Sequence, residues 1–200
     1  MKTPRVFPIF ATFVPKFFLT MSDTIEQFEH VIGICRDLYA KKLQDYGASW
    51  RIMRPTSLTD QIFIKAKRIR SIEEKGETRI DEGIRSEIIG IVNYGVIALI
   101  QLELGYSDAV DISNEKALAL YDKHMGITKN LMYAKNHDYD EAWRGMRTTS
   151  YTDLILMKIC RTKQIENHEG VTIVSEGVDA NYMDMINYSL FGLIKLEYGE

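Results

Sequence analysis

The chain has 200 residues, of which 46% are hydrophobic and 26% charged, and its formal net charge is −3. This composition excludes a disordered, collagen-like or disulfide-scaffold protein, and the acidic balance argues against direct binding of nucleic acid. Two cysteines, Cys35 and Cys160, are too few for a disulfide framework, so we expect reduced thiols in a cytoplasmic protein. No uninterrupted run of about 18 apolar residues is present, so we predict no membrane span.

Residues 1–20 differ from the rest of the chain. An apolar stretch at 7–14 follows two basic residues, as in a signal peptide, but prolines interrupt it and no small-residue cleavage site follows. Met21 then precedes Thr24 and Gln27, which have the spacing of a capping box at the start of a helix. We interpret Met21 as the biological start and 1–20 as an upstream extension. An ordered apolar arm that packs on the body is the alternative.

The remainder of the chain is a tandem duplication. A shift of 93 positions aligns 45–73 with 138–166 without a gap, and 15 of the 29 aligned pairs are identical. One further residue of shift aligns 91–103 with 185–197. Two copies are too few for a solenoid, so we expect a closed pseudo-twofold body, as a monomeric pseudo-dimer or a homodimer. The predicted units are a first helical repeat at 21–104, a linker at 105–115 and a second repeat at 116–200.

Each copy is predicted to fold as three helices, which makes the protein all-α. In the first copy, apolar residues spaced three and four apart mark the first helix around 28–39. The second helix is predicted over about 59–74, and the third over about 83–104. In the third helix, Gly90 and Gly95 are small enough to let a neighbouring helix approach closely. Strand-like alternation is nowhere sustained.

Capping boxes are predicted at the start of both second helices. Ser57 and Asp60 have this spacing in the first copy, and Ser150 and Asp153 have it in the second. Asp60 and Asp153 could instead ligate a metal, but the capping interpretation explains them without one.

Many positions that are identical in both copies are polar or aromatic, which helix packing alone does not require. Residues 41–70 hold eight Lys or Arg against two acids, and residues 134–163 hold six against four. Guanidinium groups suit phosphate and aromatic faces suit a base, so these segments predict a nucleotide cradle. The alternative is a connecting segment held by tryptophan packing and salt bridges. The candidate ligand-binding residues are Asp45, Tyr46, Trp50, Arg51, Arg54, Asp60, Lys65, Arg68, Asn93, Asp138, Tyr139, Trp143, Arg144, Arg147, Asp153, Lys158, Arg161 and Asn187.

The first copy is expected to be the stronger anion binder. The second copy carries Asp140 and Glu141 where the first has Gly47 and Ala48, which adds negative charge beside its basic segment. The first copy should therefore form one pocket with Tyr46 or Trp50 at its wall and with four converging cations, Arg51, Arg54, Lys65 and Arg68.

The string K-x-x-D-Y-G-x-S-W-R-x-M-R-x-x-S-x-T-D, followed by the helix I-V-N-Y-G-V-I-A-L, resembles a bacterial and phage family. That family is called nucleotide modification associated domain 1, formerly a domain of unknown function. The likeness covers residues 28–103 and, in a more diverged copy, 121–197. The resemblance implies a role in nucleotide or modified-base metabolism.

The three-helix units are also distantly similar to all-α nucleoside triphosphate pyrophosphatases of the MazG and dimeric dUTPase type. Those enzymes hold magnesium with E-x-x-E and E-x-x-D motifs, so the similarity implies Mg²⁺ as a cofactor. The second motif departs here, because it is Gly90-x-x-Asn93 in the first copy and Asp184-x-x-Asn187 in the second, and asparagine carries no charge. The first copy would need other acids, and the candidate metal ligands are Glu73, Glu87 and Asp184.

Three functions are consistent with the sequence. The first is a soluble nucleotide-binding protein that acts as a magnesium-dependent nucleoside triphosphate pyrophosphatase. The second is a non-catalytic nucleotide-sensing or interaction module that uses the same basic and aromatic site. The third is a helical scaffold whose retained residues are structural.

Overall fold

A computed structural model describes residues 21–80 and 82–199. Within those residues the fold consists of α-helices and two short 3₁₀ turns, without a β-strand, so the all-α prediction is confirmed. The interpretations placed on residues 1–20 lie outside the described residues. The helices are α1 (Met21–Tyr46), α2 (Pro55–Lys75), α3 (Ile84–Leu104), α4 (Asn114–Tyr139), α5 (Thr148–Asn167) and α6 (Val178–Tyr198). The 3₁₀ turns are Ser49–Ile52 and Ala142–Gly145.

α3 and α6 form the centre of the bundle. They pack against each other, α2 packs on α3, α5 packs on α6, and both α1 and α4 contact the central pair. By length and composition alone α3 could cross a membrane, but 72% of its most apolar window is buried inside the protein. A Cβ at Gly95 would lie 2.7 Å from Ile186 Cγ1, so this glycine allows the predicted close approach of α3 and α6.

Both second helices begin four residues earlier than predicted. α2 begins at Pro55 behind Arg54, and α5 begins at Thr148 behind Arg147, and neither arginine side chain caps its helix. Proline favours the first helical position because its φ is already helical and its missing N–H would have no partner there. The predicted capping boxes are therefore wrong, and their members lie within the helices: Ser57, Asp60, Ser150 and Asp153.

The capping box predicted at the start of α1 is also wrong. Thr24 and Gln27 are buried within α1 and hold the second copy's 3₁₀ turn instead. Arg144 Nη2 lies 2.6 Å from the Thr24 hydroxyl oxygen and 2.7 Å from Gln27 Oε1, and the Thr24 hydroxyl donates to the Glu141 carboxylate.

Where α2 packs on α5, the buried hydrogen bonds are reciprocal between the copies. Thr59 Oγ1 donates to Glu166 Oε1 at 2.6 Å, and Thr152 Oγ1 donates to Glu73 Oε1 at 2.8 Å. Thr59 aligns with Thr152 and Glu73 aligns with Glu166, so each copy gives the threonine to one bond and the glutamate to the other. Burial raises the pKa of both carboxyl groups.

Two exposed ion pairs across the same interface are reciprocal as well. Lys163 Nζ lies 2.6 Å from Asp60 Oδ1, and Arg70 pairs with Asp153. Asp60 and Asp153 thus join the two copies, and we assign them this role in place of ligand binding. The reciprocity supports the predicted pseudo-twofold arrangement, which we retain as a prediction.

Candidate functional site

The first copy contains a cleft of about 770 Å³ between α1, the first 3₁₀ turn, α2 and α3. This volume lies within the range of small-molecule and cofactor sites. Its wall is largely apolar and aromatic. Five of the sequence-predicted residues line it, namely Tyr46, Trp50, Lys65, Asn93 and Glu87.

Lys65, on α2, supplies positive charge to the cleft. Its Nζ lies 3.2 Å from Glu87 Oε2, and Arg68 Nη1 lies 2.5 Å from Glu87 Oε1. Two cations therefore neutralise one buried carboxylate. The side chain of Lys65 is still 24% exposed, whereas that of Glu87 is only 6% exposed.

Gly90, on α3, provides the space that Lys65 occupies. A Cβ at this position would lie 2.6 Å from Lys65 Cε and 2.9 Å from its Nζ. The close neighbour is a side chain of α2, so Gly90 allows α2 to pack closely on α3, as predicted. Gly95 has the same role between α3 and α6.

Three aromatic side chains form a wall of the cleft. Trp50 is 6% exposed and Tyr46 is 55% exposed, and Tyr94 is partly buried. Lys65 Nζ lies 5.9 Å from the centroid of the Tyr94 ring. Partial burial raises the pKa of the Tyr46 hydroxyl above its ordinary value of 10.0. Aromatic faces beside a cation suit a flat ring that carries an anionic group.

Arg51 does not line the cleft, and its assignment as a ligand-binding residue stays a prediction. The residue is 2% exposed, and its guanidinium donates to Asp111 Oδ1 at 2.7 Å, to Gly105 O at 2.6 Å and to the Gln101 side chain. Gln101 Nε2 in turn donates to Met53 O at 2.6 Å. These bonds tie the inter-repeat segment to the 3₁₀ turn, and they fulfil the structural alternative for this arginine.

Arg54 and Asp45 are exposed and do not line the cleft either. The Arg54 guanidinium carbon lies 5.8 Å from the centroid of the Tyr106 ring. The predicted convergence of four cations is therefore wrong. Lys65 lines the cleft, and Arg68 reaches it through the shared carboxylate of Glu87.

The retained asparagines have structural partners. Asn93 Nδ2 donates to Cys35 O at 3.1 Å, and Asn187 Nδ2 donates to Thr128 O at 3.2 Å. Each bond joins the third helix of a copy to its first helix. Asn93 therefore lines the cleft with a side chain that is already held in place.

The second copy has a carboxylate where the first has Gly90. Asp184 aligns with that glycine, and its Oδ2 lies 2.5 Å from Lys158 Nζ while its Oδ1 lies 2.9 Å from Lys135 Nζ. The Asp184 and Lys158 side chains are both 8% exposed. Burial raises the pKa of the Asp184 carboxyl, but the hydrogen bonds from Lys158 and Lys135 outweigh burial and hold the pKa below its ordinary value.

A second internal carboxylate lies beside Trp143. Glu141 Oε2 accepts from Trp143 Nε1 at 3.1 Å and from Arg144 Nε at 2.9 Å. Trp143 stacks on Phe191 with centroids 4.5 Å apart. The second copy thus uses Trp143 and Arg144 structurally, and Ala48 of the first copy aligns with Glu141.

The other second-copy candidates do not join this buried cluster. Asp138, Tyr139 and Arg147 are exposed, and Arg161 is partly buried on α5. Asp138 contacts His137, with 3.2 Å between Oδ1 and Nδ1.

The candidate metal ligands are not brought together. Glu73 binds Thr152 across the α2–α5 interface, Glu87 pairs with cations in the first copy, and Asp184 pairs with cations in the second. Among the described residues, no group of three or more His, Cys, Asp or Glu is placed to hold a metal ion. These three carboxylates therefore do not fit a shared magnesium site.

Lys42 and Tyr94 are among the cleft residues that were not candidates from the sequence. Both are identical in the second copy, as Lys135 and Tyr188, so the comparison that identified Lys65 could also have found them. Lys42 is exposed and makes no hydrogen bond or ion pair with the described part of the chain.

Comparison with curated proteins gives no match, and neither does comparison with solved structures. A family model described as nucleotide modification associated domain 1 matches residues 42–102 and again residues 135–196. The two matches correspond to the two copies and together cover more than half of the chain. The chain therefore belongs to the nucleotide modification associated domain 1 family, with two tandem copies of the domain.

Proposed function

We propose that the first copy binds a nucleotide, or a related phosphate-bearing small molecule, in the cleft between α1, α2 and α3. The observation that carries this proposal is that Lys42 and Lys65 line the same cleft as Tyr46, Trp50 and Tyr94. A phosphate group needs cations, and a base needs a flat apolar surface. The cleft offers both within one volume.

The charges of the cleft favour an anionic ligand. Glu87 is neutralised by Lys65 and Arg68, and Arg68 also contacts Glu82 at 3.3 Å. Lys42 adds a cation without a described partner. Three cations thus face two carboxylates, and a phosphate would replace the water that now solvates Lys42 and part of Lys65.

The family description and the free thiols agree with this proposal. A nucleotide ligand fits a family whose description refers to nucleotide modification. Cys35 is buried and Cys160 exposed, and neither forms a disulfide, as expected of a cytoplasmic protein. Direct binding to nucleic acid is not part of the proposal.

Hydrolysis is not part of the proposal either, because the proposed carboxylates do not form a magnesium site. Magnesium enters only as the counter-ion of a polyphosphate ligand. The non-catalytic sensing module therefore describes the cleft better than the pyrophosphatase does. Incubation of the protein with nucleoside triphosphates and Mg²⁺ tests this choice, and release of pyrophosphate would overturn it.

The binding test is a thermal-shift and calorimetric screen of the full chain against nucleoside mono-, di- and triphosphates. A ligand at 100 times its dissociation constant stabilises a protein by about 2.7 kcal/mol, which such a screen detects. Lys65→Met should weaken the best ligand by roughly ten- to a hundredfold, the range for loss of a charge-assisted hydrogen bond. Arg68 still holds Glu87 in this variant, so the fold should persist.

Lys67→Met is the matched control. Lys67 lies on the same helix but is exposed and does not line the cleft. Its replacement should leave the affinity unchanged. The proposal is overturned if no nucleotide shifts the melting temperature, or if the two variants weaken binding equally.

A further inference from the structure

The two copies differ at one aligned position, which carries a carboxylate in the second copy and no side chain in the first. In the second copy the carboxylate of Asp184 lies between Lys135 and Lys158, at 2.9 and 2.5 Å from their Nζ atoms. In the first copy the two aligned lysines are retained as Lys42 and Lys65, but the residue between them is Gly90.

This difference changes the partners of the lysines. Lys158 has its carboxylate beside it, whereas Lys65 extends across the bare surface of Gly90 to reach Glu87 at 3.2 Å. Glu87 is one helical turn away from Gly90, and the aligned residue in the second copy is the uncharged Asn181. Lys42 is left with no described carboxylate, although its counterpart Lys135 has one.

We infer that the ligand's anionic group binds over Gly90, between Lys42 and Lys65, where the second copy carries the carboxylate of Asp184. The second copy is accordingly closed to ligand at this position, because it carries its own anion. The inference rests on the proposed function and deepens it, since it specifies which part of the cleft binds the phosphate. It also predicts a stoichiometry of one ligand per chain.

The position suits an anion for two physical reasons. Lys42 of α1 and Lys65 of α2 line the same cleft as Gly90, and the missing Cβ of Gly90 leaves space that only the movable Lys65 side chain now crosses. In the second copy this pair of lysines holds a carboxylate, at 2.9 and 2.5 Å from the two Nζ atoms. The same pair can hold an oxyanion in the first copy once the Lys65 side chain turns away from the Gly90 surface that it now crosses.

The test moves the internal anion from one copy to the other. Gly90→Asp places a carboxylate beside Lys65, and it should weaken binding of a nucleoside 5′-monophosphate and of inorganic phosphate at least tenfold. The same change should raise the melting temperature without ligand. Gly90→Asn adds similar bulk without charge and should not raise it. The parent nucleoside, which lacks phosphate, should lose less affinity than the monophosphate.

The double variant Gly90→Asp with Asp184→Gly should restore phosphate binding, now in the second copy. Its affinity should depend on Lys135 and no longer on Lys42, as Lys→Met changes at each position will show. If removal of Asp184 prevents folding, the single Gly90→Asp variant decides the question.

The outcomes separate this inference from the proposed function. Unchanged phosphate affinity in Gly90→Asp, together with nucleotide binding that still needs Lys65, would overturn the subsite and leave the function standing. Phosphate binding that Gly90→Asp abolishes, with no preference for nucleotides over inorganic phosphate, would support the subsite and overturn the nucleotide function. A carboxylate probe such as acetate that competes as well as phosphate would overturn the assignment to phosphate.

Discussion

The two copies share a fold and a motif but differ in what they do with the same lysines. In the first copy Lys65 lies at the edge of an open cleft, and in the second Lys158 is buried against an internal carboxylate. The cations themselves are conserved between the copies. The difference lies in the neighbouring residues, Gly90 against Asp184 and Glu87 against Asn181.

The 3₁₀ turns show a similar difference, because an uncharged residue of the first copy aligns with a carboxylate of the second. Ala48 is fully buried in the first copy, and its counterpart Glu141 binds Trp143 and Arg144. The second copy thus has two carboxylates, absent at the aligned positions of the first, that contact basic and indole groups internally.

The largest expected effect comes from breaking the internal ion pair of the second copy. Asp184→Asn leaves Lys158 buried without a carboxylate, and loss of one partner from a buried pair costs about 3 kcal/mol or more. Lys135 is partly exposed and can turn to solvent. Urea denaturation at pH 7 measures the change in the free energy of unfolding.

Glu87→Gln is the matched variant in the first copy. Lys65 and Arg68 are 24% and 26% exposed, so both can be solvated once the carboxylate is gone. We expect a loss about half as large as that of Asp184→Asn. Equal losses would show that the two carboxylates are equally structural, which would contradict the comparison.

The fold could be predicted from the sequence because the helical pattern occurs twice, so each copy supports the helix assignments of the other. Helical periodicity and the 93-residue shift give three helices in each copy, and the structure has them. The helix starts could not be placed by capping boxes, because Pro55 already begins α2 and a serine three residues before an acid also occurs inside helices. The close helix contacts at Gly90 and Gly95 were predictable from residue size.

The site could be predicted only in part, because retention of a residue does not reveal its partner. Arg51 and Arg144 occupy aligned positions, yet Arg51 pairs with Asp111 whereas Arg144 pairs with Glu141. Retained lysines were the better guide, since Lys42 and Lys65 both line the cleft. Gly90, which carries the proposed subsite, differs between the copies, so identity between them does not reveal it.

A smaller effect is expected from another difference between the copies, which is the hydrogen bonding of the retained asparagines Asn93 and Asn187. The Tyr121 hydroxyl donates to Asn93 Oδ1 at 2.8 Å, and both side chains are buried. Tyr121→Phe leaves that oxygen without a donor, which costs roughly 1–3 kcal/mol. Tyr39→Phe is the control, because Tyr39 stacks on the Tyr121 ring with centroids 4.4 Å apart, while its hydroxyl contacts Ala117 O at 3.5 Å and the Trp50 side chain instead of Asn93. Similar losses in the two variants would assign the effect to packing.

The opposite substitution at the aligned position of the first copy, Phe28→Tyr, should stabilise the protein. Phe28 aligns with Tyr121, and Asn187 Oδ1, which aligns with the oxygen that Tyr121 binds, is buried without a hydrogen-bond partner in the described structure. If the copies are related by a pseudo-twofold axis, Phe28→Tyr supplies the missing donor and adds about 1 kcal/mol, the net value of a typical hydrogen bond. Thermal and urea unfolding measure the gain. Destabilisation would show that the hydroxyl cannot reach Asn187 and would count against the axis.

The smallest expected effect concerns the pH dependence of the α2–α5 interface. Burial raises the pKa of Glu73 and of Glu166 above the ordinary value of 4.5, so in the folded protein each carboxyl holds its proton to a higher pH than in the unfolded chain. Their contribution to stability is therefore full below about pH 4.5 and is lost as the pH rises through the raised values.

Glu73→Gln and Glu166→Gln keep an oxygen that can accept from the facing threonine but cannot ionise. Each variant should lose less stability than the parent protein when the pH rises from 4.5 to 7, as urea midpoints across that range will show. Equal flattening in the two variants is expected because Thr152 and Thr59 donate to the two glutamates in the same way. A change confined to one of them would mean that the copies differ at this interface as they do at the lysines, and the reciprocal contacts would then no longer support the pseudo-twofold arrangement.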